Sequence, residues 1–421
     1  MQTNEMQEPA FNAPAAEAAG AVEPVNAAAV EAADAAEAAN AAEDAAPAAA
    51  VDSAPAAADA TPAAVAADAA PIAAATADAQ RTITFTVPCY NSAKDMDHCI
   101  TSILEGAKYA PDIEIVIVDD GSTDETPEKA DDWAARYPDL VRVVHQENGG
   151  HGIGVLTGLR EARGVYYKVV DSDDWLDGQA LSIMLTLLRG FIERDTRVDL
   201  FISNYVYEKV YEGTRNAVNY HGALPRHRIF TWSEIGRFRP DQNLLMHALC
   251  YRTDVLRGHD LPLPAHTFYV DNIYAYVPLP NCKTMFYADI DLYRYFIGRE
   301  GQSVNEDVMV KRLDQQFRIT RIMMHAYHLY DDVEEPKLRA YMFSYFTMMM
   351  TICSVFTKLS DDPAMPDELE KLWAELEEFD PRMYKKVRSS ILAIGTNLPT
   401  KAGEKLGVWF YHVAEKIFKF N

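Results

Sequence analysis

The chain has 421 residues, 49% of them apolar, with 39 basic against 63 acidic side chains and a formal net charge of −24. That is enough for one large or two ordinary domains, and the acidic balance disfavours nucleic acid as a partner. The five cysteines (Cys89, Cys99, Cys250, Cys282, Cys353) are odd in number, far apart and without a CxxC pair. This argues against a disulfide framework and a structural zinc site and points to the reducing cytoplasm.

Residues 1–80 hold 39 Ala, thirteen Asp or Glu and no Lys or Arg, so −13 of the charge lies there and −11 in the rest. Such a tract has almost no large apolar side chains to bury and cannot offset the entropy of ordering. A disordered tail is expected, with Val25 to Asp44 helical part of the time. A secretory leader needs a basic start and a compact apolar core, and a mitochondrial presequence needs Arg; neither is present, so no N-terminal address is expected.

From Arg81 short β-rich runs alternate with helical ones. Arg81–Pro88 is a strand, and Met96, Ile100, Ile103, Leu104 and Ala107 recur at helical spacing. Ile113–Val118 reads as a buried strand, followed by a helix around Glu125–Arg136, strand Val141–His145, a helix near Ile153–Arg163 and strand Val165–Val170. The alternation predicts an α/β domain with a mostly parallel, Rossmann-related sheet covered on both faces.

Ligands of such sheets bind beyond the carboxyl ends of the strands. The four ends are Pro88-Cys89-Tyr90-Asn91, Asp119-Asp120-Gly121-Ser122, Gln146 through His151, and Asp171-Ser172-Asp173-Asp174-Trp175. These carboxylates would repel one another, with raised pKa values, unless a cation sat among them. Asp171 and Asp173 form a D-x-D whose oxygen-only donors suit Mg2+ or Mn2+. The competing reading is that Asp173 or Asp174 caps the helix starting near Asp177. Gly152, Gly154 and Gly158 imitate a dinucleotide fingerprint, but the spacing is G-x-G-x-x-x-G and the glycines lie past the third strand, not in the first turn.

These motifs resemble the nucleotide-binding half of inverting family-two glycosyltransferases with the GT-A fold. The matching residues are Val87-Pro88-Cys89-Tyr90-Asn91, Val118 through Asp124 (V-D-D-G-S-T-D), Asn148-Gly149-Gly150, and Asp171 through Trp175. The resemblance implies that Pro88, Tyr90, Asn91 and Asn148 border the nucleotide-sugar donor, that Asp119 or Asp120 hydrogen-bonds its base, and that Asp171 and Asp173 hold donor and metal. Downstream, Tyr269-Val270-Asp271-Asn272 stands where the family has Glu-Asp. Val270 departs from that pattern and leaves Asp271 as the carboxylate to which the family's general base maps; the competing reading is a helix cap. Leu292-Tyr293-Arg294-Tyr295 with Arg299, Gln302 and Ser303 is similar to the family's closing segment. His151, His247, Arg294 and Arg299 are candidates for contact with diphosphate or acceptor. No Q-x-x-R-W segment occurs, which favours single addition.

The implied reaction is inverting transfer of a sugar, most plausibly UDP-linked, to a glycan or lipid-linked acceptor in cell-surface polysaccharide synthesis, with Mn2+ or Mg2+ as cofactor. The alternatives are a nucleotidyltransferase making such donors, or a non-catalytic nucleotide-sugar-binding protein. The expected division is a tail over 1–80, a GT-A domain over 81–305 and a helical region over 306–421. Ala340–Thr357 is eighteen uncharged residues, just short of a membrane span and expected to be a buried or interfacial helix. Leu406, Trp409, Phe410, Val413, Ile417 and Phe420 form an amphipathic stripe beside Lys401, Lys405, Lys416 and Lys419. The segment 401–421 is therefore a candidate for peripheral contact with the inner face of the cell membrane, against the alternative that it packs on the core.

Overall fold

The computed structural model describes residues 80–297 and 306–390. The tail up to residue 79, Arg299, Gln302, Ser303 and the segment 401–421 lie outside the described residues.

Strands β1 (Arg81–Cys89), β2 (Ile113–Asp119), β3 (Val141–His145) and β4 (Gly164–Val169) alternate with helices α1 (Met96–Gly106), α2 (Thr126–Arg136) and α3 (His151–Glu161). The four strands are parallel in the order β3-β2-β1-β4, in register from Ile83 beside Ile113 to Cys89 beside Asp119. Every residue of β2 is buried, as a strand covered on both faces requires. The glycines of α3 let it lie close on β1: a Cβ at Gly158 would come 2.1 Å from Thr86 Cγ2, and one at Gly154 would come 3.1 Å from Pro88 Cβ. Gly154 and Gly158 are thus a packing device between helix and strand, while Gly152 lies against Leu263 and Val270.

After β5 (Trp175–Leu176), helix α4 (Gly178–Glu193) leads into a mixed half-sheet. Its strands are β6 (Leu200–Lys209), β7 (Thr214–Val218), β8 (Ile229–Phe230), β9 (Leu249–Arg252) and β10 (Met285–Phe296). The order continues β4-β9-β6-β10-β5, with β9 antiparallel to both neighbours and β10 parallel to β6. The sheet is therefore parallel in its first half and mixed in its second. Short helices α5 (Thr253–Arg257) and α6 (Asp271–Tyr276) lie between β9 and β10.

The C-terminal part is helical: α7 (Glu306–Lys311), α8 (Leu313–His325), α9 (Leu329–Asp332), α10 (Pro336–Leu359), α11 (Met365–Phe379) and α12 (Pro381–Arg388). Helix α10 is long and apolar enough to cross a membrane by length and composition, but two-thirds of its most apolar window is buried inside the protein. Tyr341 accepts from Leu244 N at 2.9 Å, Tyr345 donates to Asn272 Oδ1 at 3.1 Å, and Tyr327 on the α8–α9 turn donates to the Val277 carbonyl at 2.7 Å. The helices are thereby fixed to the segment that carries Asp271. All five cysteines are free and buried.

Candidate active site

The strand-end turns gather on the carboxyl edge of the parallel half. Asn91 adopts φ 51°, and its Oδ1 accepts from Thr123 N at 2.8 Å, clamping the first turn to the second. Tyr90 is exposed, whereas Pro88 is buried under α3. Asp119 and Asp120 are both buried, with separate partners. Asp119 Oδ2 lies 2.8 Å from His145 Nδ1, and Oδ1 accepts from Ser122 N at 3.1 Å. The Asp119 hydrogen bond raises the His145 pKa. Asp120 accepts from Gln146 Nε2 at 2.6 Å, Gly149 N at 2.8 Å and Gly150 N at 2.7 Å. Asn148 Nδ2 donates to the Asp120 carbonyl at 2.9 Å. Asp119 is thus paired with a titratable side chain, whereas the bonds to Asp120 come from an amide side chain and two backbone N–H groups.

The fourth turn is the densest in charge. His151 opens α3 and places Nε2 2.8 Å from Asp171 Oδ1, while His247 Nε2 stands 3.6 Å from Asp171 Oδ2. Burial would raise the Asp171 carboxyl, but the His151 and His247 imidazoles outweigh it and hold Asp171 well below the usual carboxylate range. Asp174 is buried and accepts from Tyr293 OH at 2.7 Å and Phe296 N at 2.8 Å. Burial, then the neighbouring Asp171 charge, push the Asp174 carboxyl well above its ordinary value. The cap of α4 falls to Asp177, whose carboxylate accepts from Gln179 N and Ala180 N. Capping is therefore not the role of Asp173 or Asp174.

Asp271 is half-buried at the start of α6, where its Oδ1 accepts from Asn272 Nδ2 at 3.3 Å. Burial raises its carboxyl above the ordinary value, against the opposing His247 and His151. The structure thus brings Asp171, Asp174, His151, His247 and Asp271 into one electrostatic cluster. Lys168, which no motif singles out, lies beneath it. This wholly buried lysine on β4 donates to the His247 carbonyl at 2.7 Å, and burial lowers its pKa to about 8.

Arg294 does not join the cluster. Strand alternation turns it away from Tyr293 and Tyr295, and it pairs with Glu208 and Asp177, each at 3.1 Å. Two carboxylates thus hold the guanidinium that the motif offers as a contact for diphosphate or acceptor.

Asp171, Asp174 and His247 each present a ligand atom within 4.8 Å of the others. His247 Nδ1 is buried without a hydrogen-bond partner, and its Nε2 is too far from Asp171 for a normal bond. A carboxylate and an imidazole with unspent lone pairs fit a divalent ion. Asp174 fits less well, since two donors already hold it; Asp173, half-buried in the same turn, is the other carboxylate at hand.

Residues 84–249 match the family described as Glycosyl transferase family 2. The chain is 40% identical to the glycosyltransferase EpsJ of Bacillus subtilis (strain 168) over 94 residues, 22% of this chain and only 26% of EpsJ. It is 22% identical to the glycosyltransferase YibD of Escherichia coli (strain K12) over 347 residues, 79% of this chain and 92% of YibD. The crystal structure of S. aureus TarS 1–349 in complex with UDP-GlcNAc superposes with a TM-score of 0.55 at 19% identity, covering 80% of this chain and 91% of that one. Over residues 84–249 the chain is thus similar to family 2 glycosyltransferases, and its fold is GT-A.

Proposed function

We propose that the protein transfers a sugar, with inversion, from a UDP-linked donor to a glycan or lipid-linked acceptor in cell-surface polysaccharide synthesis. The observation that carries this reading is the pair of unlike carboxylates in one cluster: Asp171, held ionised between two imidazoles, and Asp271, half-buried with a raised pKa. A group poised toward neutrality takes up a proton more readily than an ordinary carboxylate, which suits Asp271 to remove the acceptor hydroxyl's proton as it attacks. Asp119 and the turns carrying Tyr90, Asn91 and Asn148 form the donor's nucleoside side. The UDP-GlcNAc bound by TarS supports a UDP-sugar as donor.

Asp171, His247 and Asp173 would hold Mn2+ or Mg2+, which when bound stabilises the charge growing on the leaving diphosphate. His151 keeps Asp171 oriented through its Nε2. A single displacement with one base inverts the anomeric centre, and no second nucleophilic carboxylate is needed.

The acceptor side and a cytoplasmic, membrane-peripheral location belong to the same proposal. Arg382, Lys385, Lys386 and Arg388 are exposed on α12, and none pairs with a carboxylate among the described residues. They lie just ahead of the basic, aromatic segment 401–421 in an otherwise acidic protein. Such cations suit an anionic lipid surface.

Donor hydrolysis by the purified protein with UDP-, GDP- and dTDP-sugars, each with Mn2+ or Mg2+, tests the donor; no release from any of them ends the proposal. Cosedimentation with anionic liposomes, full length against a chain ending at Thr400, tests the surface contact.

A further inference from the structure

Asp120 has no free role on the donor side. Its carboxylate is 3% exposed, and three of its roughly four acceptor sites are taken by Gln146 Nε2, Gly149 N and Gly150 N. Two of those donors are consecutive backbone amides, so the carboxylate fixes the path of the turn itself. What that turn does next is to hold two other elements. Gly150 ends it at φ 85° and leads into α3, whose first side chain, His151, clasps Asp171 at 2.8 Å. The Gly149 carbonyl accepts from His266 N at 2.7 Å. A Cβ at Gly150 would lie 2.9 Å from His266 N and 3.0 Å from its Cα, so the two backbones meet without room for a side chain.

His266 begins the loop that ends at Asp271. This loop departs from easy backbone geometry twice, with His266 at φ 48° and Tyr269 at φ 65°. Conformations of this kind persist only where the surroundings over-determine them. Here one side is the Gly149 carbonyl. The other is α8, where Gln315 Oε1 accepts from Phe268 N at 2.8 Å and Arg318 Nη1 donates to Thr267 Oγ1 at 3.0 Å.

We infer that Asp120 is a positioning residue that couples the donor-side turn 146–150 to the loop bearing Asp271, so that one buried carboxylate sets both His151 against Asp171 and the base loop against the donor. The functional half of this inference rests on the glycosyltransfer proposed above; the structural half does not. An amide at position 120 cannot keep the turn: whichever way it is rotated, its NH2 faces the N–H of Gly149 or Gly150. Gln146 is different, because its loss removes a donor to the same carboxylate and leaves both glycine amides bound.

The test uses the full chain and the variants Asp120→Asn, Gly150→Ala and Gln146→Leu. Hydrogen exchange is the first measurement and needs no donor. Asp120→Asn and Gly150→Ala raise exchange in peptides covering 146–152 and also 264–272, and leave β6 unchanged; Gln146→Leu leaves 264–272 as in the wild type. Kinetics is the second. Asp120→Asn lowers kcat by about 100-fold, the order expected of a displacement of about 1 Å, a loss larger than the one the shifted turn causes in donor KM and in UDP affinity by calorimetry. If Asp120→Asn does not fold, Gly150→Ala reads the same split from the other side of the contact. Unchanged exchange in 264–272 in both variants overturns the coupling, whether or not any donor is turned over. Loss of UDP affinity with kcat retained overturns it too, and makes Asp120 a donor contact. A wild type that binds no UDP removes the proposed function but leaves the exchange result to judge the coupling.

Discussion

The two halves of the sheet secure their polar groups by different means. In the parallel half, carboxylates and amides at the strand ends hold backbone N–H groups: Asp119 holds Ser122, Asp120 holds Gly149 and Gly150, Asp124 holds Ala93 and Thr126, and Asn91 holds Thr123. In the mixed half, side chains hold side chains. Arg294 joins Glu208 and Asp177, Tyr293 holds Asp174, and Asp289 takes Asn204, His221 and Arg226. Backbone donors do not titrate and are present at every position except proline, so in these bonds of the first half only the accepting carboxylate changes charge with pH, and no partner is more than 32 residues away. The second half needs partners from far along the chain, several of them ionisable.

The division is also one of task, and the largest expected effect tests it. Asp271→Asn removes the acceptor's proton trap and leaves the strand-end turns of the parallel half alone. Transfer falls by roughly 10²–10⁴-fold while UDP binding in Mn2+ is unchanged, as followed by single-turnover kinetics and calorimetry. Asp173→Asn acts on the other side. It weakens Mn2+-dependent UDP binding about tenfold, because a carboxylate ligand becomes a neutral one. Equal UDP affinity in wild type and Asp173→Asn removes Asp173 from the metal set. Substantial transfer by Asp271→Asn removes the base.

The same contrast explains what the sequence made legible. Every strand and helix from Arg81 to Val169 followed from local periodicity, because each is an unbroken run and its turn residues are consecutive; β1, β2 and β3 also pair near in sequence, whereas β4 pairs with the distant β1 and β9. The motifs that match the family lie in this stretch for the same reason. Asp174 was harder: its donors, Tyr293 OH and Phe296 N, are 119 and 122 residues away, and only the fold brings them to it. Arg294 was equally hard to place, because its neighbours in the motif face the cluster while it faces Glu208, a partner 86 residues distant. The pairing of β10 with β6 shifts register on both sides of Asp291, which no alternation of apolar residues signals. Asp119 and Asp120 looked equivalent as adjacent acids; the turn 146–150 distinguishes them by where its amides point.

A smaller effect sharpens the contrast in pH. Burial alone would raise the Asp289 carboxyl, but hydrogen bonds from Asn204, Tyr287 and His221 outweigh it and lower its pKa. A group whose pKa is lower folded than unfolded stabilises above its unfolded value, and that contribution is lost as pH falls through the folded value. Asp289→Asn should cost about 1–3 kcal/mol at pH 7, with its partners left short of an acceptor. In urea titrations the difference from wild type shrinks below about pH 4, the ordinary range of an unfolded aspartate. An Asp289→Asn cost that stays constant from pH 7 to pH 3 would mean that the carboxylate's charge contributes nothing there.

The smallest expected effect belongs to the removal of residues 1–80. Their composition argues this directly: with 39 Ala and thirteen acids and no basic residue, the segment offers a partner little apolar area and only negative charge. Docking onto residues 81–421, themselves at −11, would bring like charges together and add the entropy of ordering the chain. A protein beginning at Arg81 should therefore melt within about 2 °C of the full chain, since a shift of 4 °C would correspond to roughly 1 kcal/mol or more at this size. Donor turnover should be equal in the two forms at matched concentration. The sign under salt is a further check. If the tail repels the folded part, its removal raises the melting temperature slightly at low ionic strength, and the gain disappears at 0.5 M salt, where screening acts within a few ångströms. A fall of several degrees on removal, insensitive to salt, would show instead that apolar contacts of the tail help to hold the folded part together.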